Sequence, residues 1–243
     1  FKLNHFLRPV VDSSDDPVQN RTLVQDLAGR TAVPLTHLLS SPGSSLQRNI
    51  GLARVSSDVV FFPDDDSLLH PGALEEMMRI YALDTDGIIG GVCSAEASSP
   101  PIGVLGRAAY RMTPSDQLKA RIARKRFSLE ERFVPDPFHR VATGFYRTLP
   151  SVPKWLSDEN AITVPWMTGF RMSYRTSIIR RSGFAEELGR YALFEDIDAG
   201  FSTLRSHLLV GARNAQIFHH KAPMRRANGR AMGVMQILNR AYV

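Results

Sequence analysis

The chain has 243 residues, a formal charge of +6 and 43% hydrophobic residues. That is enough apolar matter for one large α/β domain or two small ones, and too much for a fibrous or disordered chain. The single cysteine, Cys93, excludes a disulfide framework and a Cys-rich zinc site, favours a reducing compartment, and reads as a small core residue within its apolar run.

The positive balance is dominated by arginine, whose forked guanidinium suits phosphates, and it points to a polyanionic partner or an acidic membrane surface. No signal-peptide pattern is visible, and no apolar run is long enough to span a bilayer. Any membrane contact within this stretch is therefore expected to be peripheral.

Taken in chain order, Phe6 to Val11 reads as a strand that ends in the turn-forming cluster Asp12-Ser-Ser-Asp-Asp-Pro17. Gln19 to Leu27 is predicted as a helix stopped by Gly29, and Val33 to Leu39 as a short strand. Ser41-Pro-Gly-Ser-Ser45 opens a helix through Ala53. Val59 to Phe62 is apolar at every position, the signature of a strand buried on both faces. Pro71 suits the first turn of a helix through about Leu83, and Gly87 to Val92 is another apolar strand. This alternation predicts a doubly wound, mostly parallel sheet. Residues 98–160, with the break Ser98-Ser-Pro-Pro-Ile-Gly103, the basic stretch Lys119 to Arg126 and a proline- and aromatic-rich run from Phe133 to Trp155, read as an irregular insertion. Beyond it come strands within Ile162 to Tyr174, a short helix Thr176 to Ser182, a longer one Glu195 to Ser206, closing strands at Leu208 to Val210 and Ala215 to Phe218, and a basic helix from Arg225 to Val243.

Five groups of residues carry chemistry. Asp64, Asp65 and Asp66 follow the central strand, at the sheet edge where open α/β folds place ligands. Side-chain alternation turns Asp64 and Asp66 the same way, so they can share one Mg²⁺ or Mn²⁺; the plainer reading lets Asp66 or Ser67 start a turn or cap the next helix. In Phe194-Glu-Asp-Ile-Asp198, Ile197, Phe201 and Leu204 form a buried stripe. The acids at its start either complement the helix dipole or include a general base. Ile217-Phe-His-His-Lys221 offers a histidine as metal ligand, and His219 and His220 point to opposite faces if extended. Gly169, between bulky neighbours, marks a bulge, a strand kink or a close backbone approach to a ligand. Asp12 either accepts bonds from a ribose or base or nucleates its own turn.

The order Val-Val-Asp-Ser-Ser, Gln47-Arg-Asn-Ile-Gly-Leu-Ala53, Phe-Phe-Pro-Asp-Asp-Asp66, Gly-Phe-Arg-Met-Ser-Tyr-Arg175, Phe-Glu-Asp-Ile-Asp198, Ile-Phe-His-His220 resembles the family 2 glycosyltransferases of the GT-A fold over residues 7–95 and 162–243. It is also similar to bacterial galactofuranosyl- and rhamnosyltransferases of that family, down to Leu238-Asn239-Arg240. The family opens with a strand such as Val-Ser-Val-Ile-Ile-Pro-Thr. Phe1 to His5 is too short and polar to match it, so the resemblance implies residues that precede the Val-Val-Asp strand.

The resemblance implies one GT-A domain: a nucleotide-binding half at 1–95, the insertion at 98–160, an acceptor and catalytic half at 161–222, and a basic amphipathic helix at 223–243. It implies that Asp12 contacts the nucleotide base or ribose, that Arg48 lies near the nucleotide pocket and that Gly169 lines the sugar pocket. Asp64 and Asp66 would hold Mn²⁺ or Mg²⁺, with Asp64 and Asp65 on the nucleotide sugar. His219 would be a third ligand, with His220 as the alternative. Asp196 would be the base, supported by Glu195. The activity implied is an inverting transfer from a nucleoside diphosphate sugar to a glycan or lipid-linked acceptor in bacterial cell-surface polysaccharide synthesis. The place implied is cytoplasmic, at the inner face of the membrane if Arg225, Arg226, Arg230 and Arg240, interleaved with Met224, Met232, Met235, Ile237 and Leu238, lie on anionic lipid.

Two other readings compete. A sugar-phosphate nucleotidyltransferase also uses metal-bound carboxylates, but it wants a glycine-rich, basic phosphate loop near its start, and none is visible. A basic nucleic-acid-binding protein is disfavoured, because the arginines are scattered and match no module; no nucleic-acid partner is expected.

Overall fold

The computed structural model describes residues 8–31, 34–103, 149–189, 191–220 and 229–243, the first three residues of the last segment by backbone alone. Strands β1 (Arg8–Asp12) and β2 (Leu35–Leu39) pair in parallel through helix α1 (Pro17–Thr31). Then come α2 (Ser44–Arg54), β3 (Val59–Pro63), β4 (Ser67–Leu69), α3 (Ala73–Leu83) and β5 (Ile89–Glu96). The second half supplies α4 (Lys154–Asp158), β6 (Ala161–Thr163), β7 (Arg171–Arg175), α5 (Thr176–Ser182), α6 (Glu195–Leu204), β8 (Leu208–His219) and α7 (Gly229–Tyr242).

The larger sheet runs β3-β7-β5-β8-β4, with β6 also paired to β8. Strand β7 is antiparallel to both β3 and β5, and β8 is parallel to β5, so β3, β5 and β8 share one direction. Strands β4 and β6 oppose β8. The expected α/β architecture is present, but the sheet is mixed where a mostly parallel one was predicted. A long segment, residues 97–170, joins β5 to β7, and a connection of that length does not oblige the chain to return in parallel.

Alternation along β3 explains why it is apolar throughout. Val60 and Phe62 enter a core with Leu52, Tyr174, Ile179, Phe201 and Leu204, under α2, α5 and α6. Val59 and Phe61 pack on the opposite core, with Met77, Ile80, Ile89 and Val210, under α3. Cys93 is a buried core residue, as its apolar run predicted. The β1–β2 pair docks on α2: Gln47 Nε2 donates to the Val11 carbonyl (2.9 Å), and a Cβ on Gly51 would lie 3.5 Å from Val11.

Several boundaries differ from the sequence reading. Helix α1 runs past Gly29 to Thr31. Pro71 lies in a turn, and Gly72, at φ 82°, precedes α3 in the left-handed region where glycine is least strained. The two predicted closing strands are one strand, β8, with an irregularity: Ser94 pairs with Ala212 but Ala95 with Gln216. The predicted insertion contains helix α4 in its last part, while 104–148, including Lys119 to Arg126, lies outside the described residues, as do Phe1 to His5, Met224, Arg225 and Arg226. Among the described residues no helix is long and apolar enough to cross a membrane.

One ion pair locks β7 to the α3–β5 turn. Asp84 Oδ1 accepts from the Ile88 N–H (3.0 Å), and Oδ2 accepts from the Ile89 N–H (2.9 Å) and Arg175 Nη2 (2.9 Å). Arg175 also donates to the Ile89 carbonyl (2.9 Å). Breaking such a pair leaves a partly buried cation and two amides without partners, which costs about 3–5 kcal/mol. Asp84→Ala should therefore lower the stability in urea unfolding by about 3 kcal/mol or more; a loss below about 1 kcal/mol would show the pair to be incidental.

Candidate active site

Strand β3 ends at Pro63, and the acidic triplet begins one residue on. Ser67 closes the turn: its N–H donates to the Asp64 carbonyl (3.1 Å), and its Oγ accepts from the Asp64 N–H (3.1 Å) and donates to the Phe170 carbonyl (3.0 Å). Neither Asp66 nor Ser67 caps a helix, because β4 intervenes before α3 begins. Strand β4 pairs with the end of β8, Ser67 opposite His219. That pairing carries the histidine to the triplet. Nε2 of His219 lies 3.1 Å from Asp66 Oδ1, and one ligand atom each from Asp64, Asp66 and His219 fall within 4.8 Å of one another. The Phe170 ring stacks on the His219 imidazole at 4.4 Å and 16° and fixes its plane. Asp65 is exposed, and His220 meets the turn through its backbone N–H, which donates to the Asp66 carbonyl (3.0 Å). Of the two histidines, the cluster contains His219.

The second acidic group arrives on α6. Ala192 (φ 46°) and Phe194 (φ 78°) both adopt left-handed backbone just before it, and Phe194 is the N-cap. A bulky residue there is strained by about 1–3 kcal/mol, the kind of strain that collects at functional sites. The Glu195 side chain accepts from Ser44 Oγ (3.1 Å) and forms an ion pair with Arg48. Asp196 points elsewhere: Oδ2 accepts from the Gly169 N–H (2.9 Å) and Oδ1 from the Ile197 N–H (2.9 Å).

Arg48 joins the two groups. Its side chain is only 13% exposed; Nη1 pairs with Glu195 and Nη2 lies 3.2 Å from Asp64 Oδ1. The guanidinium carbon sits 5.6 Å from the Phe184 ring centre, within cation–π range. Gly169 is neither bulge nor strand kink. It sits in the turn before β7, where an added Cβ would come 2.9 Å from Arg48 Nη2, so the protein group beside this glycine is a cation that a larger residue would displace. Segments 64–66 and 195–196 thus meet in one place.

The electrostatics follow from burial. Desolvation pushes Asp64 up against the pull of Arg48, and Asp66 pushes it further. Desolvation raises Glu195 to about 7 despite Arg48, and raises Asp196 as well. Burial would lower the Arg48 pKa, but Glu195 and Asp64 outweigh it and raise it. Three carboxylates, Asp64, Glu195 and Asp196, therefore act on one guanidinium, and a fourth, Asp66, stands beside Asp64 and His219. Hard carboxylate oxygens with one imidazole are a donor set that fits Mn²⁺ or Mg²⁺, and a divalent charge would offset the excess of negative charge.

Asp12 has its own environment at the end of β1. Oδ1 accepts from the Ser14 N–H (2.8 Å) and Asn20 Nδ2 (3.2 Å), and Oδ2 lies 3.0 Å from His37 Nε2. The turn-nucleating reading is thus realised, and Asp12 makes no contact with the two acidic groups in these bonds. Sequence reasoning gave Ser67 its turn but not its bond to Phe170, and it missed Ser44, Phe170 and Phe184, whose roles depend on contacts across more than a hundred residues of chain, such as Ser67 to Phe170 and Ser44 to Glu195.

A family profile described as Glycosyl transferase family 2 matches residues 21–140. No curated protein matches the chain. Among solved structures it is similar to mannosyltransferase PcManGT from Pyrobaculum calidifontis in complex with GDP-Man and Mn²⁺, with a TM-score of 0.53 and 14% identity over 94% of this chain and 50% of that one. It is also similar to GalNAc-T7 with UDP, GalNAc and Mn²⁺, with a TM-score of 0.53 and 10% identity over 87% of this chain and 37% of that one. The chain spans half or less of the length of these proteins, and at such identities the likeness is one of fold.

Asp12 yields a pH prediction. Burial would raise its pKa, but the bonds from Ser14, His37 and Asn20 prevail and hold it at about 2, against 3.8 for the free side chain. A carboxyl with a lowered folded-state pKa contributes stability that is full above the unfolded value and is lost as pH falls through the folded one. Asp12→Asn should therefore flatten the decline of the thermal midpoint between about pH 4 and pH 2. Parallel curves for the variant and the parent would refute this.

Proposed function

The chain belongs to glycosyl transferase family 2 and carries the GT-A fold, and from that premise we propose that it is an inverting, metal-dependent glycosyltransferase. It moves a sugar from a nucleoside diphosphate sugar to a glycan or lipid-linked acceptor of a bacterial cell-surface polysaccharide, in the cytoplasm. The observation that carries this reading is the convergence of Asp64, Asp66 and His219 with Glu195 and Asp196 around Arg48 and Gly169.

Asp64, Asp66 and His219 are assigned to hold Mn²⁺ or Mg²⁺, which when bound supplies neutralisation of the negative charge on the departing diphosphate. Asp196 is the base. Its carboxylate takes the proton of the acceptor hydroxyl as that oxygen bonds to the anomeric carbon. The bond from that carbon to the diphosphate oxygen breaks, and its electron pair leaves with the diphosphate. No covalent intermediate with the protein forms. The Gly169 and Ile197 amides hold the two Asp196 oxygens, so the carboxylate is oriented before the acceptor arrives. Burial raises its pKa, which makes it a stronger base. Glu195, tied to Arg48 and Ser44, steadies the start of α6.

Asp65, exposed beside the cluster, is assigned to the donor sugar, and Gly169 to the lining of the sugar pocket. Asp12, at the end of β1 with Oδ2 against His37, is assigned to a ribose hydroxyl or the base. Peripheral contact with an anionic inner membrane face finds support in α7, where Val234, Ile237 and Leu238 are 49%, 74% and 63% exposed on one stripe while Asn239 anchors the helix to the Leu188 and Leu193 carbonyls.

Asp196→Asn should lower transfer by about 10²–10⁴-fold and leave nucleotide-sugar affinity within a few-fold, measured as diphosphate release and donor binding over a panel of nucleotide sugars with Mn²⁺. Normal turnover by that variant would remove Asp196 as the base. His219→Ala should weaken metal-dependent donor binding about 10-fold or more, as loss of a ligand requires, while His220→Ala should not. For the membrane contact, co-sedimentation with phosphatidylglycerol vesicles should drop on Ile237→Asp with Leu238→Asp; unchanged sedimentation would exclude α7 as the contact.

A further inference from the structure

The position of Arg48 has a consequence beyond its place near a nucleotide. Three of its surroundings constrain it at once. Nη1 pairs with Glu195, Nη2 lies 3.2 Å from Asp64, and Nη2 stands 2.9 Å from where a Cβ on Gly169 would be. The Phe184 ring lies against its guanidinium carbon. A planar, permanently charged fork in such a slot can redistribute its two ends but cannot leave easily. Asp64 is also one of the three residues assigned to the cation, and Asp66 and His219 stand beside it.

Resting on the reading of Asp64, Asp66 and His219 as a cation site, we infer that Arg48 is an internal counter-ion that competes with the divalent cation for Asp64 and passes the effect to the acid pair through Glu195. Two like charges at salt-bridge distance from one carboxylate repel each other, and in a partly buried site that repulsion is weakly screened. When a cation takes Asp64, Nη2 is pushed from it, and the guanidinium is left to Glu195. The same shift moves Nη2 relative to the Gly169 turn beside it, whose N–H holds Asp196. Metal loading is thereby coupled to the position of the base through one side chain. Arg48 is a positioning residue in this account, since it acts through Asp64, Glu195 and the Gly169 turn and not on the reacting atoms.

The coupling has a sign that a merely structural arginine does not share. The probe is Mn²⁺ alone, titrated into the full chain at fixed pH and followed by the electron paramagnetic resonance of the free ion. Arg48→Met, which removes the charge and keeps the bulk, should bind Mn²⁺ about tenfold tighter or more, because a cation no longer competes. Arg48→Lys keeps the charge and should stay within about threefold of the parent. Glu195→Gln, which frees the guanidinium to stay on Asp64, should weaken Mn²⁺ binding. In the Arg48→Met background the same Glu195→Gln change should have a clearly smaller effect, since the route through Arg48 is gone. If Arg48→Met does not fold, as circular dichroism would report, Arg48→Gln takes its place as the uncharged variant, alone and combined with Glu195→Gln, with the same expected outcomes.

Unchanged or weaker Mn²⁺ binding by a folded Arg48→Met, or equal effects of Glu195→Gln in both backgrounds, would overturn the inference while leaving the cation site intact. A parent chain that binds no Mn²⁺ would remove the cation site itself, and this inference with it.

Discussion

Three carboxylates share one buried guanidinium while a fourth, Asp66, stands beside Asp64, and the rest of the site is arranged around that imbalance. Arg48 alone cannot neutralise Asp64, Asp66, Glu195 and Asp196, and desolvation raises the pKa of Asp64, Glu195 and Asp196 in spite of it. Left to themselves these groups would repel one another and open the structure. They stay together because each is fastened to something rigid: Asp64 to Ser67 in a closed turn, Asp66 to His219, Glu195 to Ser44 and Arg48, and Asp196 to two backbone amides. The fold holds a charge arrangement that is poor for stability and useful for holding a cation.

The sheet order makes this convergence geometric. Placing β7 between β3 and β5 sets Pro63 opposite Arg171, so the turn that carries Gly169 and Phe170 abuts the acidic triplet. Placing β4 against the end of β8 sets Ser67 opposite His219. Ser67 is the shared joint, since its hydroxyl bonds both the Asp64 amide and the Phe170 carbonyl. Strain is concentrated where α6 begins, at Ala192 and Phe194, and packing beneath Ile197, Phe201 and Leu204 holds that strain in place.

Much of this was legible in the residues. An apolar run ending in acids announces a strand end at a sheet edge, and β3 behaves so. The stripe Ile197, Phe201, Leu204 announces α6 with its acids on the first turn, and both are found. What was not legible depends on strand partners. Period-2 and period-3.6 patterns carry no information on strand direction, so the antiparallel β7 was missed. Nor do they tell a broken strand from a continuous one, and Gly211 to Asn214 was read as a gap in what is one strand. The choice between His219 and His220 needed the β4–β8 register. Gly169 was read as a bulge, a strand kink or a close approach to a ligand, whereas the group beside it is Arg48, which no local pattern could name.

The contrast between the whole chain and its centre gives the proposed chemistry a further physical logic. The chain carries +6 overall, while its centre holds an excess of carboxylates. A positively charged surface draws an anionic nucleotide sugar from a distance, where only net charge is felt. At contact range the sign reverses: a bare diphosphate would face Asp64 and Asp66 and be repelled, whereas the same diphosphate carrying a divalent cation would be held. On the proposed reading, long-range attraction collects every polyanion, and the short-range acids then admit the one that arrives with a metal. Free phosphates and nucleic acid backbones, which lack a tightly chelated cation, pass the first selection and fail the second.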